Sequence, residues 1–168
     1  AECRAMRIHR IGPITPESPP LQFDSVKTPR PGPREVLIRV EACGVCHTEL
    51  DEIEGRTPPP HLPMTPGHQV VGTVVEEGER CGLGLGGRRV GVAWIHSACG
   101  TCRWCTEGRE NLCPDFTATG RDKPGGYAEY MVAPEQFVHE LDVPRAEIFI
   151  ALRQVSAGLF HPDARLNL

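Results

Sequence analysis

The stretch CGTCRWCTEGRENLC (residues 99–113) places four of the chain's eight cysteines within fifteen residues. The spacing is C-x2-C-x2-C-x7-C, and Gly100 and Gly108 allow tight turns. Cys99, Cys102, Cys105 and Cys113 can therefore fold around one tetrahedral ion. Four thiolates with no open coordination position describe a structural zinc site, which pins a loop and does no chemistry. An iron–sulfur cluster would share the C-x2-C-x2-C run and the Cys113-Pro114 pair, but its fourth cysteine follows about three residues later. A two-knuckle zinc ribbon separates its cysteine pairs by roughly 15–20 residues and fits worse. A disulfide framework needs an oxidising compartment. The N-terminal AECRAMRIHR has charges but no apolar secretory core. The default is the reducing cytoplasm, where clustered cysteines bind metal.

Working outward from this loop, 168 residues suit one domain with a real hydrophobic core, or one domain of a larger parent. Net charge is −4 with both signs mixed along the chain. No basic stripe argues for nucleic acid, and no apolar run approaches the roughly 20 residues of a membrane span. Glycine and proline are abundant, 18 and 17, and prolines punctuate the first third, which disfavours long helices there. The strand signals are short: EVLIRVEA (35–42), HQVVGTVVEEG (68–78), RRVGVAWI (88–95) and GYAEYMVAP (126–134). CHTELDEIEG (46–55) predicts a short helix, and PRAEIFIALRQVSAG (144–158) predicts another. The expectation is a mainly β body with long loops and a few short helices.

ACGVCHTEL (42–50) and PGHQVVG (66–72) add a second cluster. Cys46 follows a strand and His68 opens the next, so both can face one pocket. A cysteine and a histidine leave a tetrahedral ion short of ligands, which is how an open, catalytic zinc begins. A buried thiol beside a hydrogen-bonded histidine is the other reading.

CGVCHTEL, PGHQVVGTVVEEG, GRRVGVAWIHSACGTCRWCTEGRENLC and GGYAEY stand in order over roughly residues 5–143. Together they resemble the catalytic domain of the zinc-dependent alcohol dehydrogenases, in the medium-chain dehydrogenase/reductase superfamily. The resemblance implies a GroES-like irregular β-barrel over residues 1–145, with a structural-zinc lobe at 96–115. It implies oxidation of a small alcohol to an aldehyde or ketone, with hydride transfer to NAD or NADP and zinc polarising the alcohol oxygen. By the same resemblance, Cys46 and His68 are catalytic zinc ligands, and Thr48 hydrogen-bonds the substrate hydroxyl and starts the proton relay. His47 takes the family's basic position at the cofactor pyrophosphate. Glu49 takes the place of an aspartate that holds the zinc-bound histidine. Cys43 reads as a packing residue, and Cys3 and Cys81 have no assigned role.

Three substitutions depart from the family pattern. Gln69 stands where glutamate is usual beside the zinc histidine. Asp51 stands where many members end the relay with histidine, and a carboxylate is poorly matched to a base near pH 7. Arg88 replaces the aspartate of a Gly-Asp-x-Val-Gly turn. Gly82, Gly84, Gly86 and Gly87 give G-x-G-like text, but no helix follows, so it is not a dinucleotide fingerprint. The resemblance also implies a Rossmann domain carrying the third zinc ligand, expected to begin near residue 146. Two readings of 146–168, a helix or tail, stand open: VSAGLF (155–160) echoes the segment carrying that ligand, with Ser156 in the cysteine's place, or the stretch is an unrelated tail. The isolated chain is then expected to be inactive, with an exposed apolar face that favours homo-oligomers. The alternative is a non-catalytic, zinc-stabilised remnant or partner-binding module.

Overall fold

The computed structural model describes residues 1–17 and 19–142. The helix expected over 144–158, Ser156 and the tail to 168 lie outside the described residues. Nine strands are described: β1 Glu2–Ile8, β2 Leu21–Lys27, β3 Glu35–Cys43, β4 Val70–Glu77, β5 Arg89–Val92, β6 Ile95–Ser97, β7 Thr117–Ala118, β8 Tyr130–Pro134 and β9 Val138–Glu140. Two short α-helices, α1 His47–Glu54 and α2 Arg103–Thr106, and two single 3-10 turns complete the set. The mainly β expectation stands.

The centre is an antiparallel five-stranded sheet in the order β8-β3-β4-β5-β9. Alternate positions of its strands supply one core face, although Leu37 and Val71 on the other face are buried as well. Val36 and Ile38 of β3, Val70 and Val74 of β4, Val90 and Val92 of β5, and Met131 and Ala133 of β8 meet in one core. β3 and β4 slip register between Val40 and Ala42. Beside that irregularity Gly72 lies so close to β3 that an added Cβ would collide with the Arg39 carbonyl. Such bulges bend a sheet, and this one curls toward a half-barrel.

The sequence reading merged two strands, β5 and β6, and missed four, β1, β2, β7 and β9. RRVGVAWI divides into β5 and β6, because the chain turns at Ala93 and Trp94 to leave the central sheet. β1 and β2 form a separate two-stranded sheet, paired from Glu2 with Lys27 to Ile8 with Leu21. The prolines between them fall in the connection, where they cost no ladder hydrogen bonds. β6 pairs with β7 and closes the base of the four-cysteine lobe, where the Ser97 and Thr117 hydroxyls bond at 2.7 Å.

Candidate functional site

The lobe between β6 and β7 brings its four sulfurs together. The Sγ atoms of Cys99, Cys102, Cys105 and Cys113 all lie within 4.8 Å of one another. Cys99 and Cys105 are 3.9 Å apart, and Cys102 and Cys105 are 3.6 Å apart. A tetrahedral ZnS4 unit with bonds of about 2.3 Å sets sulfur separations near ~3.8 Å, so these residues fit zinc. They are far too distant for disulfide bonding, and all eight cysteines are free. Backbone amides already point at the sulfurs: Cys102 N donates to Cys99 Sγ at 3.3 Å, and Cys99 N to Cys113 Sγ at 3.4 Å. Backbone hydrogen bonds from Thr101 and Cys102 lower the Cys99 pKa to about 6, favouring the thiolate. Desolvation pushes Cys105 up to about 12. A cation at the centre would satisfy all four thiolates. The stacking of Arg103 and Arg109 on Trp104, 3.9 and 4.6 Å from the ring centroid, stiffens the surrounding turn.

The second cluster assembles where β3 ends, α1 begins and β4 opens. Cys46 is the N-cap of α1, with extended backbone, and Gly55 ends the helix in the left-handed region at φ 88°. Glu49, in the first turn, reaches back so that its Oε2 accepts the Cys46 amide at 2.7 Å. Its Oε1 stands 2.8 Å from Nδ1 of His68. That approach is a polar contact and not an aligned hydrogen bond, since neither atom has a hydrogen-bond partner. Both residues are buried, Glu49 to 3% and His68 to 6% exposure. With Nδ1 facing the carboxylate, Nε2 of His68 is the nitrogen left for a metal, so the donor set of Cys46 and His68 fits zinc. Thr48 is half-buried, with Oγ1 3.6 Å from the Cys46 sulfur, and His47 is exposed at the start of the helix.

His68 is held by an interlock of two motifs. Gly125 N bonds Thr65 O at 2.8 Å, Gly126 N bonds Gly67 O at 2.9 Å, and Tyr127 N bonds Pro66 O at 3.0 Å. Gly67 adopts φ +99°, and a Cβ there would sit 2.6 Å from the Tyr127 ring and 2.8 Å from the Cys43 sulfur. PGH and GGY therefore need their glycines for close backbone approach. Cys43 fills the space beside them, and burial pushes its pKa up to about 12. A neutral packing thiol is the consistent reading.

The remaining sequence-predicted residues take these places. Gln69 lays its side-chain amide against Gly44, and its backbone carbonyl accepts the Gly44 amide at 2.8 Å. Asp51 is ion-paired with Arg56 at 2.5 Å. Arg88 pairs with Glu140 at 3.1 Å on the surface. In the glycine-rich loop, Gly82 N and Leu83 N donate to the Glu135 carboxylate at 2.8 and 3.1 Å. The amides that would cradle a phosphate there are already engaged by an internal acid. Cys81 donates to the Glu35 carbonyl and Cys3 is buried in β1. Among the described residues, the four-cysteine group is the one set of three or more ligand side chains gathered within metal-binding reach. Cys46 and His68 are not in such a set and offer at most two donor atoms.

Sequence reasoning passed over Glu52, Tyr127 and Trp94. Glu52 is 1% exposed and Tyr127 lies among the acids of α1, with its pKa raised by burial. Trp94 packs on Phe116 with ring centroids 4.9 Å apart and remains 39% exposed. Glu52 carried a signal, an acid one turn after Glu49 on the helix face that points inward. Trp94 and Tyr127 carried none beyond being aromatic.

With this geometry in place, the comparisons agree. Residues 32–144 match the alcohol dehydrogenase GroES-like domain, and the chain belongs to that family. It is 43% identical over 146 residues to a probable alcohol dehydrogenase of Mycobacterium tuberculosis, covering 84% of this chain and 42% of that protein. It is 44% identical over 122 residues to an alcohol dehydrogenase of Geobacillus stearothermophilus, covering 72% and 36%. Among solved structures, a thermostable alcohol dehydrogenase from Pyrobaculum aerophilum superposes with a TM-score of 0.80 at 32% identity, covering 90% of this chain and 44% of that one. A cobalt- and zinc-bound structure of a thermostable alcohol dehydrogenase from the same organism gives 0.78. The chain spans less than half the length of these relatives. Among the described residues, no helix is long and apolar enough to cross a membrane.

Proposed function

We propose that the chain is the zinc-binding substrate domain of an NAD- or NADP-dependent alcohol dehydrogenase, acting on a small alcohol or aldehyde. The domain spans residues 1–145 with its zinc lobe at 96–115. The observation that carries this is the Glu49 carboxylate, which addresses the Cys46 amide with one oxygen and the His68 ring with the other.

Cys46 and His68 would hold the catalytic zinc, and the lobe cysteines the structural one. Bound there, the catalytic ion's chemistry is Lewis-acid activation of the alcohol oxygen. Glu49 fixes the tautomer and orientation of His68. Thr48, beside the Cys46 sulfur, accepts the substrate hydroxyl proton into its own hydrogen bond and passes it on. Asp51, half-exposed one turn along α1 from Thr48 and ion-paired with Arg56, is the outlet of that path. His47, exposed at the helix start, meets the dinucleotide pyrophosphate, where the helix N-terminus adds favourable field. Gln69, packed on Gly44, supports the turn without adding charge near the ion. The protein is cytoplasmic and homo-oligomeric in this reading.

Metal content tests the proposal. Wild type should carry about two zinc ions per chain by plasma mass spectrometry, and Cys46→Ser about one. One zinc in both would leave only the lobe filled, and the chain would then be a zinc-stabilised binding module.

A further inference from the structure

Glu52 lies on the inward face of α1, one turn beyond Glu49. It is 1% exposed, and neither carboxyl oxygen has a hydrogen-bond partner. A carboxylate in that position would be desolvated without compensation, which is among the costliest arrangements in a protein interior. The charged and titratable groups that act on it are few. Glu49 and Asp51 come from α1 itself, Arg121 and Asp122 from the turn after β7, and Tyr127 from the segment before β8. Arg121 is the one cation among them, and it is committed to Asp122 through Nη2 at 2.8 Å and Nε at 3.2 Å. Burial first, and the Glu49 charge second, push the Glu52 pKa up to about 8.

We propose that Glu52 is a positioning residue, held as a neutral carboxylic acid beneath α1, and that its neutrality keeps Glu49 seated between the Cys46 amide and His68. Two buried carboxylates one helical turn apart repel. Ionisation of Glu52 therefore drives α1 outward and takes Glu49 off both of its partners. Protonation of an otherwise silent side chain thus sets the shape of the segment carrying Cys46, His47 and Thr48. The effect on bound zinc rests on the reading of Cys46 and His68 given above; the effect on α1 does not.

The test is amide hydrogen exchange of residues 47–54 in the zinc-supplemented full chain at pH 6 and pH 9, expressed relative to Glu52→Gln so that intrinsic pH effects cancel. The two proteins should exchange alike at pH 6. At pH 9 the wild-type helix should exchange about tenfold faster, the ratio expected one unit above a pKa of about 8. A ratio that stays level, or a wild-type helix already faster at pH 6, overturns the proposal. If Glu52→Gln does not fold, infrared titration of wild type decides: a protonated carboxyl band lost with a midpoint near pH 8 supports it, and loss complete below pH 5 overturns it. Zinc equivalents measured at pH 6 score the metal reading separately. A single zinc ion there sinks that reading and leaves Glu52 to be judged on exchange.

Discussion

Gly67→Ala should be one of the most damaging single-methyl changes in the chain. At φ +99° an L-residue is strained by about 1–2 kcal/mol. The new Cβ would also stand 2.6 Å from Tyr127 and 2.8 Å from the Cys43 sulfur, both half-buried. Overpacking of that kind costs typically ~1–3 kcal/mol. The two contributions give about 2–5 kcal/mol, a large part of the ~5–15 kcal/mol by which domains are stable. With a urea slope of about 1–3 kcal/mol/M, the unfolding midpoint should fall by roughly 1–3 M. The control is Gly82→Ala, where an added Cβ meets nothing within 4 Å and φ lies outside the left-handed region. It should stay within about 0.5 kcal/mol of wild type. Urea unfolding by circular dichroism on the three proteins is sufficient. Equal midpoints for wild type and Gly67→Ala, or an equally large loss in Gly82→Ala, would refute the claim that the PGH–GGY interlock holds His68 in place.

Two further outcomes follow from the site and its surroundings. His96 is 6% exposed with Nδ1 unpartnered, and burial lowers its pKa from 6.5 to about 4. The unfolded chain therefore takes up this proton first as pH falls. The associated stability is complete above pH 6.5 and disappears toward pH 4, amounting to at most about 3 kcal/mol. His96→Gln should flatten that part of the thermal-stability curve, and an unchanged slope would remove His96 as its cause. Cys105→Ser should release one zinc per chain and leave the far-ultraviolet signal of the central sheet intact, because the ligands it disturbs lie wholly in the lobe. Full zinc retention in that variant would contradict four-thiolate binding.

Much of the fold was legible because two local rules operate without tertiary help. Period-two alternation marked β3 and β-branched composition marked β4, and their Val and Ile residues do meet in one core. Cysteine spacing marked the lobe, since the chain between Cys99 and Cys113 is too short to do much besides fold on itself. α1 was readable from its ends, Cys46 before it and Gly55 after it. The β1–β2 sheet was not, because Leu21–Lys27 exposes most of its side chains and shows little alternation. The division of RRVGVAWI was hidden as well: nothing in Ala93-Trp94 says that the chain changes sheets there. At the site, motif spacing pointed to Cys46 and His68. That Glu49 addresses both at once, and that Glu135 closes off the glycine-rich loop, are long-range facts. They depend on residues up to 53 positions apart, and no window of sequence contains them.

The lobe joins the body through β6 and β7, clasped by the Ser97 and Thr117 hydroxyls. Between them, α2 and its stacked arginines are fastened within the lobe, while Phe116 at its edge packs on Trp94 and Arg121. Such a segment is a cassette: its length and sequence can drift, or be exchanged between relatives, as long as the two strands at its base still meet. Selection on the central sheet and selection on the lobe are thereby uncoupled, and changes accumulated in one leave the register of the other untouched.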